Sequence, residues 1–181
     1  NLIEIPRTNL RVSNQEKLTA QSILENLGIK TDFIVLVPGA AWPQKQWQVN
    51  KYNHAINKII DKTDKKIIML GSKDDMICKS LRKVNANVID YSGKTNLREA
   101  MAIISISNTV FGSDTGLLHI AESLGKKISM ILGPTSKETG GGVSNRDSVN
   151  IESEIWCRPC SQNGKSECYR SIQYCMDGIP A

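Results

Sequence analysis

Aromatic side chains are scarce, with three Trp, four Tyr and two Phe among 181 residues. So thin a supply leaves little to stack on bases, and the basic residues are scattered without an Arg-rich block. The net charge of +5 therefore reads as a solvated basic face, and no nucleic-acid partner is expected. A phosphate-bearing small ligand or an anionic membrane surface would use the same excess. No apolar run approaches the roughly 20 residues that a membrane-spanning helix needs. The opening "NLIEIPRTNL" lacks the charged-then-apolar layout of a secretion signal and begins with Asn, so we read the sequence as a piece of a longer chain. Cysteine is sparse until the end, where Cys157, Cys160, Cys168 and Cys175 crowd together; Cys78 stands alone. Without a secretion signal a reducing compartment is expected, which favours thiols or a metal over disulfides.

What is present is ordinary for one soluble domain: 40% hydrophobic and 23% charged residues. Ser13 and Glu16 are spaced as a capping box, and the apolar stripe Leu18, Ile23, Leu24 and Leu27 behind them predicts a helix ended by Gly28. Short, wholly apolar runs follow at "FIVLVPG" (33–39), "KIIMLG" (66–71), "NVIDYSG" (87–93), "NTVFGSD" (108–114) and "KISMILG" (127–133). Between them lie stretches with helical spacing, one opened by Asn96 with Glu99 three residues on. Apolar strands alternating with amphipathic helices predict a parallel sheet covered on both faces, an α/β Rossmann-like doubly wound fold. The expected organisation is a linker and leading helix (1–32), a Rossmann-like domain (33–150) and a cysteine-containing tail (151–181).

The stretch "FGSDTGLLHIAESLG" (111–125) ends a strand and opens a helix, at the sheet edge where such folds bind ligands. Asp114 is expected to cap that helix, leaving the amides of Thr115 and Gly116 free for an anion, with His119 on the face of Thr115. The same tetrapeptide serves equally well as a cap without a ligand. An exposed helix terminus contributes only about 0.3–1 kcal/mol per charge, and micromolar binding needs about 8 kcal/mol. Other strand ends must therefore contribute. Lys45 follows the first strand, Asp75 the second as a ribose acceptor, and Thr95 the third, while "GPT" follows the fifth.

In this order the landmarks "PGA" with "KQW", "GSKDD", "SGKTNLREA", "DTGLLHIAESLG", "ILGPT" and "CRPC…C…CM" resemble the C-terminal half of glycosyltransferase family 9, the ADP-heptose:lipopolysaccharide heptosyltransferases. The resemblance runs from about residue 33 to the end and implies the C-terminal domain of a two-domain GT-B type enzyme. It implies an inverting transfer of heptose from ADP-heptose to a lipid A/core oligosaccharide acceptor, with no cofactor or metal required. Lys45 and the amides of Thr115 and Gly116 would hold the diphosphate, Asp75 the ribose, and Thr95 with the main chain at Ala40 and Ala41 the base and phosphates. Asp114 and His119 would complete the donor site. The family's usual residue at Asp75 is Glu. The catalytic base is expected in an N-terminal domain, so no catalytic residue is assigned here and the piece is expected to be inactive alone. A bacterial, cytoplasmic enzyme, peripheral at the inner face of the inner membrane, is implied.

The tail "CRPC…C…C" permits a four-thiolate zinc site at Cys157, Cys160, Cys168 and Cys175. Its second pair is not a C-x-x-C, however, so reduced or partly disulfide-bonded thiols packing the tail are expected, and no metal is assigned. Two other functions compete: a nucleotide-sugar epimerase-like half, and a non-catalytic zinc or protein-interaction module with the cysteine tail as its working end.

Overall fold

The computed structural model describes residues 8–30, 32–82 and 84–181. Residues 1–7 of the leading segment lie outside the described residues, as do Thr31 and Lys83.

Each predicted apolar run becomes a strand: β1 (Phe33–Val37), β2 (Lys66–Met69), β3 (Val88–Asp90), β4 (Thr109–Ser113) and β5 (Ile128–Leu132). A further strand, β6 (Val149–Glu152), joins them. The six pair in the order β3-β2-β1-β4-β5-β6, and every neighbouring pair is parallel. Winding starts at β1, runs out to β3, and then reverses past β1 to build the other half. That reversal leaves a crevice at the carboxyl ends of β1 and β4, where open sheets of this kind take ligands.

The helices are α1 (Asn14–Asn26), α2 (Val49–Thr63), α3 (Met76–Leu81), α4 (Leu97–Ile106), α5 (Gly116–Ser123) and α6 (Tyr174–Asp177). Both faces of the sheet are covered, which is why its central strands are apolar throughout. Phe33, Val35 and Val37 of β1 face a core shared with α1, α4 and α5. Ile34 and Leu36 face the other core, made with α2, α3, Met176 and Ile179. The tail thus packs on the α2 face. Lys51 reaches the carbonyls of Asp177 and Ile179, and Gln48 donates to the Asp177 carboxylate at 2.7 Å.

The two predicted capping boxes form, Ser13 with Glu16 at α1 and Asn96 with Glu99 at α4. Arg98 of α4 then grips Glu16 with two nitrogens, at 2.6 and 2.7 Å, which fastens α1 beside α4. β6 runs across the expected boundary between residues 150 and 151 and pairs with β5.

The switch point is built by close contact. A Cβ on Gly112, whose φ is +155°, would lie 2.0 Å from the Val37 carbonyl oxygen, so only glycine lets β4 run this near β1. Just beyond, Ser113 donates to the Pro38 carbonyl at 2.9 Å. A hydroxyl has one proton to give, so the buried Tyr52 phenol must be the donor in its 3.0 Å bond to Ser113. Burial pushes that phenol above its ordinary range, which keeps the donated proton in place.

Candidate functional site

A cleft of about 510 Å³ opens at the ends of β1, β2 and β4. Gly39, Ala40 and Ala41 line it after β1, Gly71, Ser72 and Asp75 after β2, and Thr115 and Gly116 after β4. Leu97 of α4 with Leu117 and Ile120 of α5 add an apolar wall. That combination suits a ligand with a flat apolar part and an anionic part.

The anionic end would meet the start of α5. Thr115 is the N-cap, extended at φ −149° and ψ 162°, and its side chain makes no capping bond. The expectation that Asp114 caps the helix is therefore corrected, because its carboxylate is engaged elsewhere. The N–H groups of Gly116 and Leu117 have no acceptor among the described residues, as the first turn of any helix requires. Both residues line the cleft, at the positive end of the helix dipole.

Asp75 lies across the ends of β1 and β2. Its Oδ2 accepts from the Ser72 N–H at 2.7 Å, and a Cβ on Gly39 or Gly71 would come within 2.5 or 2.7 Å of the same oxygen. Glycine at both strand ends is what lets the carboxylate fold down here. Oδ1 has no hydrogen-bond partner among the described residues and is available to a ligand hydroxyl.

Asp114 is 3% exposed and gathers three donors. Lys45 Nζ meets Oδ2 at 2.8 Å, Thr135 Oγ1 donates to Oδ2 at 2.8 Å, and His119 Nε2 lies 3.0 Å from Oδ1. Burial works to raise this carboxyl, but the bonds from His119, Lys45 and Thr135, with the Lys45 charge, overcome it and hold the pKa at about 2. An ionised carboxylate only accepts, so His119 donates through Nε2 and, when neutral, carries its lone pair on Nδ1. The His119 side chain is 39% exposed.

The predicted residues therefore fall into two groups. Ala40, Ala41, Asp75, Thr115 and Gly116 share the cleft lining, while Lys45, Asp114 and His119 form one hydrogen-bonded cluster with Thr135. Thr95, half-buried in the turn between β3 and α4, belongs to neither. The turn "GPT" carries Thr135, and no sequence signal indicates that its hydroxyl reaches Asp114. Arg158 was missed as well. Its guanidinium, nearly buried, donates to the carbonyls of Gly133, Ser153 and Thr135 and pairs with Glu152 at 2.6 Å, pinning the turn that carries Thr135. Its place between two cysteines drew attention to them instead. The tail cysteines are free thiols, as is Cys78.

Comparison with known proteins bears on the family and the fold. Lipooligosaccharide heptosyltransferase 2 of Haemophilus influenzae is 27% identical over 126 residues, covering 65% of this chain and 36% of the relative. The corresponding protein of Haemophilus ducreyi is 28% identical over 141 residues, covering 74% and 38%. Among solved structures, the ADP-heptose lipopolysaccharide heptosyltransferase II of Escherichia coli superposes with a TM-score of 0.66 at 23% identity, over 81% of this chain and 45% of that one. A family 9 glycosyltransferase of Veillonella parvula gives 0.64 at 21% identity, over 71% and 38%. The chain thus spans less than half the length of each of these proteins. The family model of glycosyltransferase family 9 (heptosyltransferase) matches residues 4–169, and the chain belongs to that family.

Proposed function

We propose that this chain is the nucleotide-sugar binding half of an inverting GT-B glycosyltransferase that moves heptose from ADP-heptose to a lipopolysaccharide core acceptor. The observation that carries the reading is the cleft at the switch point, with unpaired α5 amides at one place and the free Asp75 oxygen at another. Its size, about 510 Å³, falls in the usual range of about 300–1,000 Å³ for small-ligand sites. Asp75 takes the ribose hydroxyls, the wall of Leu97, Leu117 and Ile120 takes the base, and the start of α5 takes the diphosphate. Thr95, outside the cleft lining, is given no part in this assignment.

Transfer is a single displacement at the anomeric carbon, which inverts it. The acceptor oxygen forms the new bond and loses its proton to a base, while the bond to the diphosphate oxygen breaks and its electrons leave with the ADP. The reading assigns that base to a separate N-terminal domain, so this chain binds donor without transferring it. The amides of Gly116 and Leu117 and the Lys45 ammonium stabilise the departing charge, work that in other enzymes falls to a metal. Asp114 holds Lys45 and His119 together in one hydrogen-bonded cluster. No described helix is long and apolar enough to cross a membrane, and the net +5 charge suits a peripheral enzyme on an anionic cytoplasmic leaflet.

Titration calorimetry with ADP, AMP and adenosine tests the reading. Affinity should fall in that order, since each step removes phosphate from the α5 terminus. Equal affinity for all three would remove the diphosphate from the assignment.

A further inference from the structure

Between Glu152 and Tyr174 the chain forms no helix or strand. Within that stretch only Ser161 and Gly164 are buried, so it contributes almost no apolar side chain to a core. An irregular segment this long needs some other support. It is nonetheless held against the turn after β5, where the Cys160 N–H donates to the Pro134 carbonyl at 3.1 Å.

Cys157, Cys160, Cys168 and Cys175 are free thiols, and all four line one small cavity together with Gln44 and Pro134. The cavity measures about 10 Å³, which is room for a single water-sized body. A C-x-x-C turn brings two sulfurs together by local geometry alone. Convergence of Cys168 and of Cys175, from the far side of the loop and from α6, is a tertiary arrangement.

We propose that these four cysteines bind one thiophilic metal ion, zinc in the first instance, as four thiolates that staple the tail. Each thiol gives up its proton on ligation, so binding releases protons to solvent. Four sulfur ligands leave no open position, which makes the site structural. Among the described residues no three His, Cys, Asp or Glu side chains yet stand in a ligating arrangement. Binding must therefore draw the thiols inward, three of them from irregular backbone and Cys175 from α6.

The staple bears on the donor cleft. Gly164 lies in the loop between Cys160 and Cys168 with φ +84°, and a Cβ there would meet the Lys45 stem at 2.4 Å. In the same loop the Lys165 ammonium sits 5.7 Å from the Trp42 ring centroid. The loop thus rests on the segment that delivers Lys45 to Asp114.

Elemental analysis of protein purified with a non-chelating reductant is the direct test, and one ion per chain is expected. A chelator should remove it, lower the melting temperature and open the four tail thiols to alkylation, while buried Cys78 stays shielded. Added Zn²⁺ should reverse all three changes. Cys168→Ser should lose the ion. Should that variant not fold, native mass spectrometry of the unaltered protein with and without chelator gives the same decision. Protein that is metal-free and refuses Zn²⁺ with its thiols reduced overturns the proposal, as does a mass showing the tail cysteines joined as disulfides under reductant.

Discussion

Asp114 faces three donors with its two oxygens and is almost sealed from solvent. Its pKa, about 2 against an ordinary 3.8, makes it a source of stability that depends on pH. In the window between those values the unfolded chain binds the proton more readily, so stability is full above the window and is lost as pH falls through it. The shift corresponds to about 2 kcal/mol at neutral pH. Asp114→Asn should therefore cost about 2 kcal/mol in denaturant unfolding at pH 7, and the gap should close as pH falls toward 2. A gap independent of pH would mean that shape rather than charge matters at this position. His119 offers the contrast, since its ring is 39% exposed and Asp114 keeps Lys45 and Thr135 without it. His119→Ala should melt close to the parent, yet cut transfer by the complete enzyme about 10-fold, or about 1.4 kcal/mol. If the variant unfolds while its folded fraction transfers normally, the histidine is structural.

At the scale of elements, the β4–α5 connection performs two tasks with two glycines. Gly112 lets β4 lie against β1, where an added Cβ would stand 2.0 Å from the Val37 carbonyl. Gly116 opens α5, and a Cβ there would meet nothing within 4 Å because the cleft lies beyond it. The same substitution should therefore have opposite outcomes. Gly112→Ala should destabilise by about 3 kcal/mol or more, since backbone has to move. Gly116→Ala should fold as well or better, by up to about 1 kcal/mol from helix propensity, while ADP affinity falls because the methyl group enters the cleft. Unfolding curves beside calorimetry on both variants read the two effects separately. Unchanged ADP affinity in Gly116→Ala would place the ligand elsewhere.

Across the whole molecule, one sheet separates two cores, and the tail belongs to only one of them, the α2 face. Lys51 of α2 and its N-cap Gln48 hold the tail's end, and Arg158 holds its beginning to the turn after β5. Thr135 in that turn reaches Asp114, and Gly164 further along rests on Lys45. The tail thus touches Lys45 directly and is linked to Asp114 only through Arg158 and Thr135. Nothing in its composition marks these links, most of which run to main-chain carbonyls.

The alternation of strands and helices could be read from the sequence because burial on both faces makes each strand apolar throughout, and a capping box needs only residues three apart. The positions of Asp75, Thr115 and Gly116 followed from the same rule, since strand ends in such a sheet converge on one edge, whereas Ala40 and Ala41 came from the family resemblance. β6 was not legible because its residues are exposed or half-buried and no apolar run announces it. Asp114 was misread as a helix cap because Asp before Thr-Gly has the chemistry of one. Folding brings Lys45 and Thr135 to it from distant parts of the chain, and a sealed carboxylate is stabilised far more by a cation and two further donors than by one amide. The cysteines follow the same logic. Their number and spacing were in the sequence, but an irregular tail has no period from which convergence could be deduced, so only tertiary packing decided that all four meet at one cavity.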